Sequence, residues 1–227
     1  KSAGKVRPPD PGRQGRYSRA DMLGRGGMGT VWLCMDGRIG RRVALKEMNP
    51  SIAGSQVPRE RFVREAQVQG RLEHPAVVPV YDLDVTDDGA SYFTMKRIQG
   101  VSLDRIIQWL RVGNDDATSG FPQRRLLGAF SQICQAVDYA HTNGVVHRDI
   151  KPSNIMLGDF GEVYLLDWGV AKVAGEAPDG EAALRSPISV SGSSGADLTR
   201  GQMVGTPCYM APEALGELPG ADQPGVD

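Results

Sequence analysis

One run of eight residues, His147-Arg148-Asp149-Ile150-Lys151-Pro152-Ser153-Asn154, constrains this chain more than any other feature. A His-Arg-Asp triplet alone is unremarkable, but the whole run has very little chance of arising by accident. Residues 123–143 before it read as a long amphipathic helix, with Leu126, Leu127, Phe130, Ile133, Cys134 and Val137 on one face and Gly144 as its stop. After it come short apolar strands at 155–157 and 163–166, joined by a turn at 158–162.

The first half has a different character. Strand-like segments at 17–24 and 30–36 flank a glycine-rich turn, and a third at 42–48 follows a turn at 37–40. Residues 59–72 read as a helix, with Phe62, Ala66 and Leu72 among charges and Pro58 at its start. Segments 77–85 and 90–97 form a hairpin across Asp87-Asp88-Gly89. The sum is a small, mostly antiparallel sheet with one helix. Within it, Gly24-x-Gly26-x-x-Gly29, followed by Val31, is a loop that lets backbone approach a phosphate closely, which a Cβ would prevent. With 29 glycines in the chain, chance readily supplies such a match, and dinucleotide-binding folds use the same glycines. Those folds need a helix after the loop, whereas a strand follows here. Val43-Ala44-Leu45-Lys46 alternates as a strand that ends on a lysine. A solvated lysine is the default, yet one strand after the loop an ammonium could bridge two phosphates of a nucleotide. Glu65 on the following helix could hold that lysine, or could pair at the surface with Arg61.

Bulk properties narrow the classes. At 227 residues and 40% hydrophobic, the chain can bury a core in one domain or two small lobes. A net charge of -1 gives no footprint for nucleic acid or a membrane surface. Cys34, Cys134 and Cys208 are odd in number and scattered, which fits reduced thiols in a cytosolic compartment rather than disulfides or a zinc site. No apolar run approaches the roughly 18–20 residues that span a bilayer, and no signal peptide is expected within these residues. Residues 1–16 carry Lys1, Lys5, Arg7, Arg13 and Arg16 among prolines and glycines, and read as a flexible basic leader. Residues 174–202, rich in Ser, Gly and Ala, lack periodicity and read as functional or disordered. Both ends read as cuts: the chain opens with Lys1 rather than Met and stops at Asp227 inside a Gly/Pro-rich stretch.

With the 147–154 run added to the glycine loop and Lys46, the chain resembles eukaryotic-type protein kinases over residues 17 to 215. The resemblance implies that Asp149 is the catalytic base and that Asn154 holds a magnesium ion. It also implies that Lys151 steadies the transferring phosphoryl group, and that Lys46, paired with Glu65, holds nucleotide phosphates. A lysine two residues after the aspartate is the serine/threonine-specific version. The second metal ligand has two candidates. Asp159-Phe160-Gly161 spells the family's tripeptide but lies in the hairpin turn, whereas Asp167-Trp168-Gly169 closes the next strand, where an aspartate can face Asn154. Asp167 is the assigned ligand and Asp159 the decoy. Trp168 in place of Phe, beside the run at 74–84, looks like the bacterial members. Gly205-Thr206-Pro207-Cys208-Tyr209-Met210-Ala211-Pro212-Glu213 resembles the end of an activation segment spanning 167–213, with Thr206 contacting Asp149 and Lys151. By the same analogy Leu23, Gly24, Arg25, Gly26, Gly27, Met28 and Gly29 cover the nucleotide, and Val31, Ala44 and Met156 sandwich the adenine. Met95 is the gatekeeper, and the backbone of Lys96 and Ile98 bonds the base.

The expected fold is α+β and bilobal: a small antiparallel β lobe with one helix (17–97) and a mainly helical large lobe (98–227), incomplete, with ATP between. The expected activity is transfer of the ATP γ-phosphoryl to Ser or Thr hydroxyls of proteins in bacterial signalling, with Mg2+ or, in its place, Mn2+. Autophosphorylation in trans is expected at the 174–203 segment, Thr199 first. Nucleic acid and a membrane segment within the chain are not. The expected location is cytoplasmic, with any anchor outside these residues. The rivals are a small-molecule phosphotransferase, a pseudokinase-like nucleotide-binding scaffold, and an inactive kinase fragment. In the resembled family a helix after the position of Glu213 supports the long helix, and Pro219, Gly220, Pro224 and Gly225 forbid it here. The 227 residues alone are therefore expected to expose an apolar face and to lack activity.

Overall fold

The computed structural model describes residues 15–173 and 206–210. The chain divides into two compact units. One takes in the chain up to Val63 together with Val80–Ile98, and the other takes in Arg64–Pro79 and the chain from Gln99 onward.

The first unit is built on a five-stranded antiparallel sheet in the order β1-β2-β3-β5-β4. Its strands are β1 (Tyr17–Arg25), β2 (Gly29–Asp36), β3 (Arg41–Met48), β4 (Val80–Val85) and β5 (Ser91–Lys96), with a short helix α1 (Pro50–Ala53) after β3. The ladder sets Val31 opposite Lys46, Leu33 and Met95 opposite Ala44, and Phe93 opposite Lys46. Side chains alternate with period two, so all six lie on one sheet face. Phe62, from helix α2 (Gln56–Arg71), packs its buried ring against buried Phe93 at 5.3 Å. Pro58 falls in the first turn of α2, where its missing N–H costs no helical hydrogen bond.

On the other face Cys34, Val43 and Leu45 are buried beneath Tyr17, Trp32 and Tyr92. Arg16, expected in the leader, is anchored here. Its guanidinium bonds Asp36 at 3.1 and 3.2 Å and Asp82 at 2.7 Å. Arg16 directly precedes edge strand β1 while Asp82 sits on the opposite edge strand β4, so the sheet must curl to bring its edges together. Burial pushes the Asp36 carboxyl up, but the Arg16 guanidinium and the Arg38 N–H more than offset this and hold it below the usual carboxylate range.

The second unit holds the end of α2, then β6 (Gly100–Ser102), α3 (Leu103–Arg111), α4 (Asp115–Gly120), α5 (Gln123–Thr142), β7 (Val145–Val146), β8 (Ile155–Gly158), β9 (Val163–Leu165) and β10 (Lys172–Val173). Strands β6, β8 and β9 form one antiparallel sheet, and β7 pairs with β10. Helices α3 and α4, which the sequence did not announce, are capped by Ser102 and Asn114, whose side chains accept the Arg105 and Ala117 N–H groups. Gly144 at φ 71° stops the long helix, as its position suggests.

Helix α5 meets the core differently from the pattern read off its large residues. Ala129, Ile133, Ala136 and Ala140 are its buried side chains, whereas Leu127 and Phe130 are 60% and 68% exposed and Leu126 and Val137 are partly covered. Small residues let the helix lie close to the strands. The 77–85 segment also divides: β4 begins only at Val80, and Val77 makes a parallel bridge to Leu165, with the Leu165 N–H bonding Ala76 O at 2.8 Å. Gln69 on α2 fixes this stretch by donating to Val78 O at 2.8 Å.

Candidate active site

The predicted site residues fall into two sets, one in each unit. In the first unit the glycine loop joins β1 to β2, with Gly24 opposite Val31 and Arg25 opposite Thr30 across the ladder. The register shift between Met22 and Gly24 sets Leu23 off the regular pairing, and Leu23 is 48% exposed. A Gly26 N–H to Gly29 O bond of 2.9 Å closes the loop over Gly27 and Met28. Gly29 is obligatory: a Cβ there would lie 2.5 Å from Glu47 O. Val31, Ala44, Lys46 and Met95 share one sheet face, as the alternation requires. The Lys46 ammonium sits 5.8 Å from the centre of the Phe93 ring. Lys96 ends β5, and Ile98 closes the unit.

The second set is centred on Asp149, in the loop between β7 and a single 3-10 turn at Pro152–Asn154. Asp149 Oδ1 accepts the Thr206 hydroxyl at 2.7 Å, and Oδ2 takes the Lys151 ammonium at 2.7 Å. Lys151 also donates to Thr206 Oγ1 at 2.8 Å, so the carboxylate, ammonium and hydroxyl close a triangle. Asn154, buried, donates its Nδ2 to Asp149 O at 2.9 Å and to Oδ2 at 3.2 Å. Burial raises the Asp149 carboxyl, but Lys151, Thr206 and Asn154 together hold it below its ordinary value. It is an ionised acceptor at neutral pH.

His147, which the sequence run contains but to which no role was attached, supports this loop. It is wholly buried, its Nδ1 accepts the Asp149 N–H at 3.2 Å and its Nε2 meets Leu166 O at 3.1 Å. Those partners fix a neutral ring with the proton on Nε2. Leu166 N–H in turn bonds Asn154 O at 2.7 Å, so the residue before Asp167 is stitched to the Asp149 loop twice. The His147 ring lies 4.5 Å from that of Trp168, which is 1% exposed. No motif reports such long-range ties; only the His-Arg-Asp start hinted at His147.

Arg148 and Asp167 have φ of 68° and 64°, a region L-residues with side chains seldom adopt, and Arg148 directly precedes Asp149. Asp167 is exposed, and a Cβ on Gly169 would lie 3.2 Å from its Oδ1 and 3.3 Å from Oε2 of buried Glu65. Glu65, Asp167 and Gly169 are therefore brought together in the second unit. Lys46, the expected partner of Glu65, belongs to the first unit. Met156 stands on β8 opposite Tyr164 and Ser102. Asp159 lies in the β8–β9 turn, whose neighbouring Phe160 is 93% exposed. Gly205, Ala211-Pro212-Glu213, Thr199 and the serines of 174–203 lie outside the described residues.

Among the described residues no group of three His, Cys, Asp or Glu side chains converges on a metal position, and no helix is long and apolar enough to cross a membrane. The oxygen donors at hand are the Asp167 carboxylate and the Asn154 amide oxygen, left over when Nδ2 is spent on Asp149. Such hard oxygens are of the kind a divalent cation takes.

Serine/threonine-protein kinase PknD of Chlamydia trachomatis serovar D is 41% identical over 208 residues, covering 88% of this chain and 22% of that protein. The PknD proteins of Protochlamydia amoebophila and Chlamydia felis are each 38% identical, over 88% and 91% of this chain and 21% and 22% of theirs. The chain thus spans about a fifth of the length of the curated relatives it matches. A family model described as protein kinase domain matches residues 17–226, which takes in both sets of site residues, and the chain belongs to that family, beside its bacterial eukaryotic-type members.

Proposed function

We propose that the protein containing this chain is a serine/threonine kinase that transfers the γ-phosphoryl of ATP to Ser or Thr hydroxyls of proteins. One observation carries the reading: an ionised aspartate already accepts an aliphatic hydroxyl, that of Thr206, at 2.7 Å, with an ammonium touching both. An acceptor serine or threonine presents the same group.

Asp149 orients the acceptor hydroxyl and takes its proton as the new O–P bond forms and the bond from the γ-phosphorus to ADP breaks. A carboxyl held below its ordinary pKa is a weak base, so its main contribution is orientation, which suits a reaction with little covalent work for the protein. Activity that depends on this ionised group persists through neutral pH. It is lost only as pH falls through that lowered pKa. Lys151 places positive charge beside the hydroxyl, and Lys46 does so for the nucleotide phosphates. Asn154 and Asp167 are the residues that would hold a divalent ion, magnesium with manganese as its substitute; when bound it neutralises phosphate charge. His147 positions Asp149 through the backbone. Met95, Lys96, Ile98, Val31, Ala44 and Met156 are assigned to the adenine.

The lobes are assigned to 17–97 and 98–227, after a basic leader read over residues 1–16, of which Arg16 is tied to the first lobe. A need for ATP argues for a cytoplasmic location. Autophosphorylation in trans, at Thr199 first, is the proposed route to activation. The test is incubation of the full-length protein with labelled Mg-ATP and mixed peptides. Label in phosphoserine and phosphothreonine is expected; label in phosphotyrosine alone, or none, would refute the reading.

A further inference from the structure

Asn49 follows β3 and occupies the N-cap position of α1, where an asparagine ordinarily turns its side chain onto the helix's first N–H groups. Here it makes no such bond. Its Nδ2 donates instead to Gly26 O and Gly27 O, both at 2.9 Å, while its Oδ1 accepts the Thr30 hydroxyl at 3.2 Å. Its backbone N–H bonds Met28 O at 3.1 Å. Three consecutive carbonyls of the glycine loop therefore converge on one residue. The partners also fix the amide orientation, because only the nitrogen can donate to carbonyls.

In a trans peptide the C=O and the following N–H point in opposite directions. With the Gly26 and Gly27 carbonyls turned onto Asn49, the Gly27 and Met28 N–H groups are turned away from it. Among the described residues neither N–H has a hydrogen-bond partner. Two adjacent, outward N–H groups on an exposed glycine turn form the kind of concavity that takes an anionic oxygen. Gly26 and Gly27 have no side chain to hold this arrangement, so unclamped they would sample many others.

We infer that Asn49 is a positioning residue for phosphate: it pins the loop carbonyls so that the Gly27 and Met28 N–H groups face the nucleotide's phosphate oxygens. The inference rests on the kinase reading for the identity of the anion. Asn49 itself touches neither substrate nor reacting atoms.

The test measures binding of ATP, ADP and adenosine to the full-length protein by calorimetry, for wild type, Asn49→Asp, Asn49→Ala and Asn49→Gln. Asn49→Asp keeps the shape but removes both donors, so ATP and ADP should bind about tenfold more weakly, the worth of one to two hydrogen bonds. Asn49→Ala should behave alike, and Asn49→Gln, which keeps the donors, should recover part of the loss. Adenosine affinity should be unchanged, because adenosine has no phosphate to be held. KM for ATP should rise more than kcat falls. Equal weakening of adenosine and ATP would make Asn49 merely structural, and unchanged ATP binding in all variants would also overturn the inference. A wild type that binds adenosine and ATP with one affinity would overturn it while leaving the Asp149 chemistry standing. A wild type that binds neither would overturn the nucleotide reading together with it.

Discussion

Asp159-Phe160-Gly161 and Asp167-Trp168-Gly169 have nearly the same composition and almost nothing else in common. The first occupies the tip of the β8–β9 hairpin, closed by a Gly158 N–H to Glu162 O bond of 2.7 Å, with its phenyl ring 93% exposed. The second follows β9; its indole is 1% exposed against His147, and its glycine lies between the carboxylates of Asp167 and Glu65. The difference lies in what precedes each tripeptide. Leu166 is bonded to both His147 and Asn154, whereas Asp159 merely continues a hairpin. A tripeptide acquires chemistry from the contacts that fix it, not from its letters.

The largest effect should separate the two aspartates. In the full-length protein Asp167→Ala is expected to abolish divalent-ion-dependent turnover, while Asp159→Ala leaves kcat and KM near wild type. Steady-state assays of the pair decide it, and the reverse pattern would exchange the two roles. The aromatic residues should differ next. Trp168→Ala removes a buried ring, a change that typically costs about 3–5 kcal/mol, whereas Phe160→Ala at an exposed tip should stay within about 0.5 kcal/mol. Chemical denaturation of both variants measures the gap, and equal losses would deny the burial on which the contrast rests. The glycines should give the subtlest split. Gly169→Ala pushes a methyl toward two carboxylates and should lower kcat, by up to about 10²-fold if Asp167 is displaced by an ångström. Gly161, at φ 90° with open space around it, should cost only about 1–2 kcal/mol of stability as alanine and leave kcat alone. A kinetic defect in Gly161→Ala would blur the comparison.

What could be read in advance divides along a physical line. The five strands of the first sheet, α2 and α5 show in local periodicity and breakers, and Asp149, Lys151 and Asn154 share one short run. Thr206 is fifty-seven residues from Asp149, yet it bonds Oδ1, and only resemblance supplied that pairing. Strands β7 and β10 have two residues each, too few to show an alternation. Val77 looks like the start of β4 but is taken by Leu165, because a β-branched residue suits either partner. Arg16 reads as leader since nothing nearby in sequence reveals Asp36 or Asp82. Asn49 carries no motif of its own, because its partners are three carbonyls more than twenty residues back. Local rules stop where a side chain chooses a distant partner.

The central claim is that the Asp149 carboxylate orients a protein hydroxyl for phosphoryl transfer, and Asp149→Asn in the full-length protein tests it most directly. The change preserves shape and removes the charge that Thr206 and Lys151 now engage. Initial rates with a Ser/Thr substrate at saturating Mg-ATP should fall by roughly 10²–10⁴-fold, with KM for ATP nearly unchanged. A variant that keeps wild-type kcat would contradict the account.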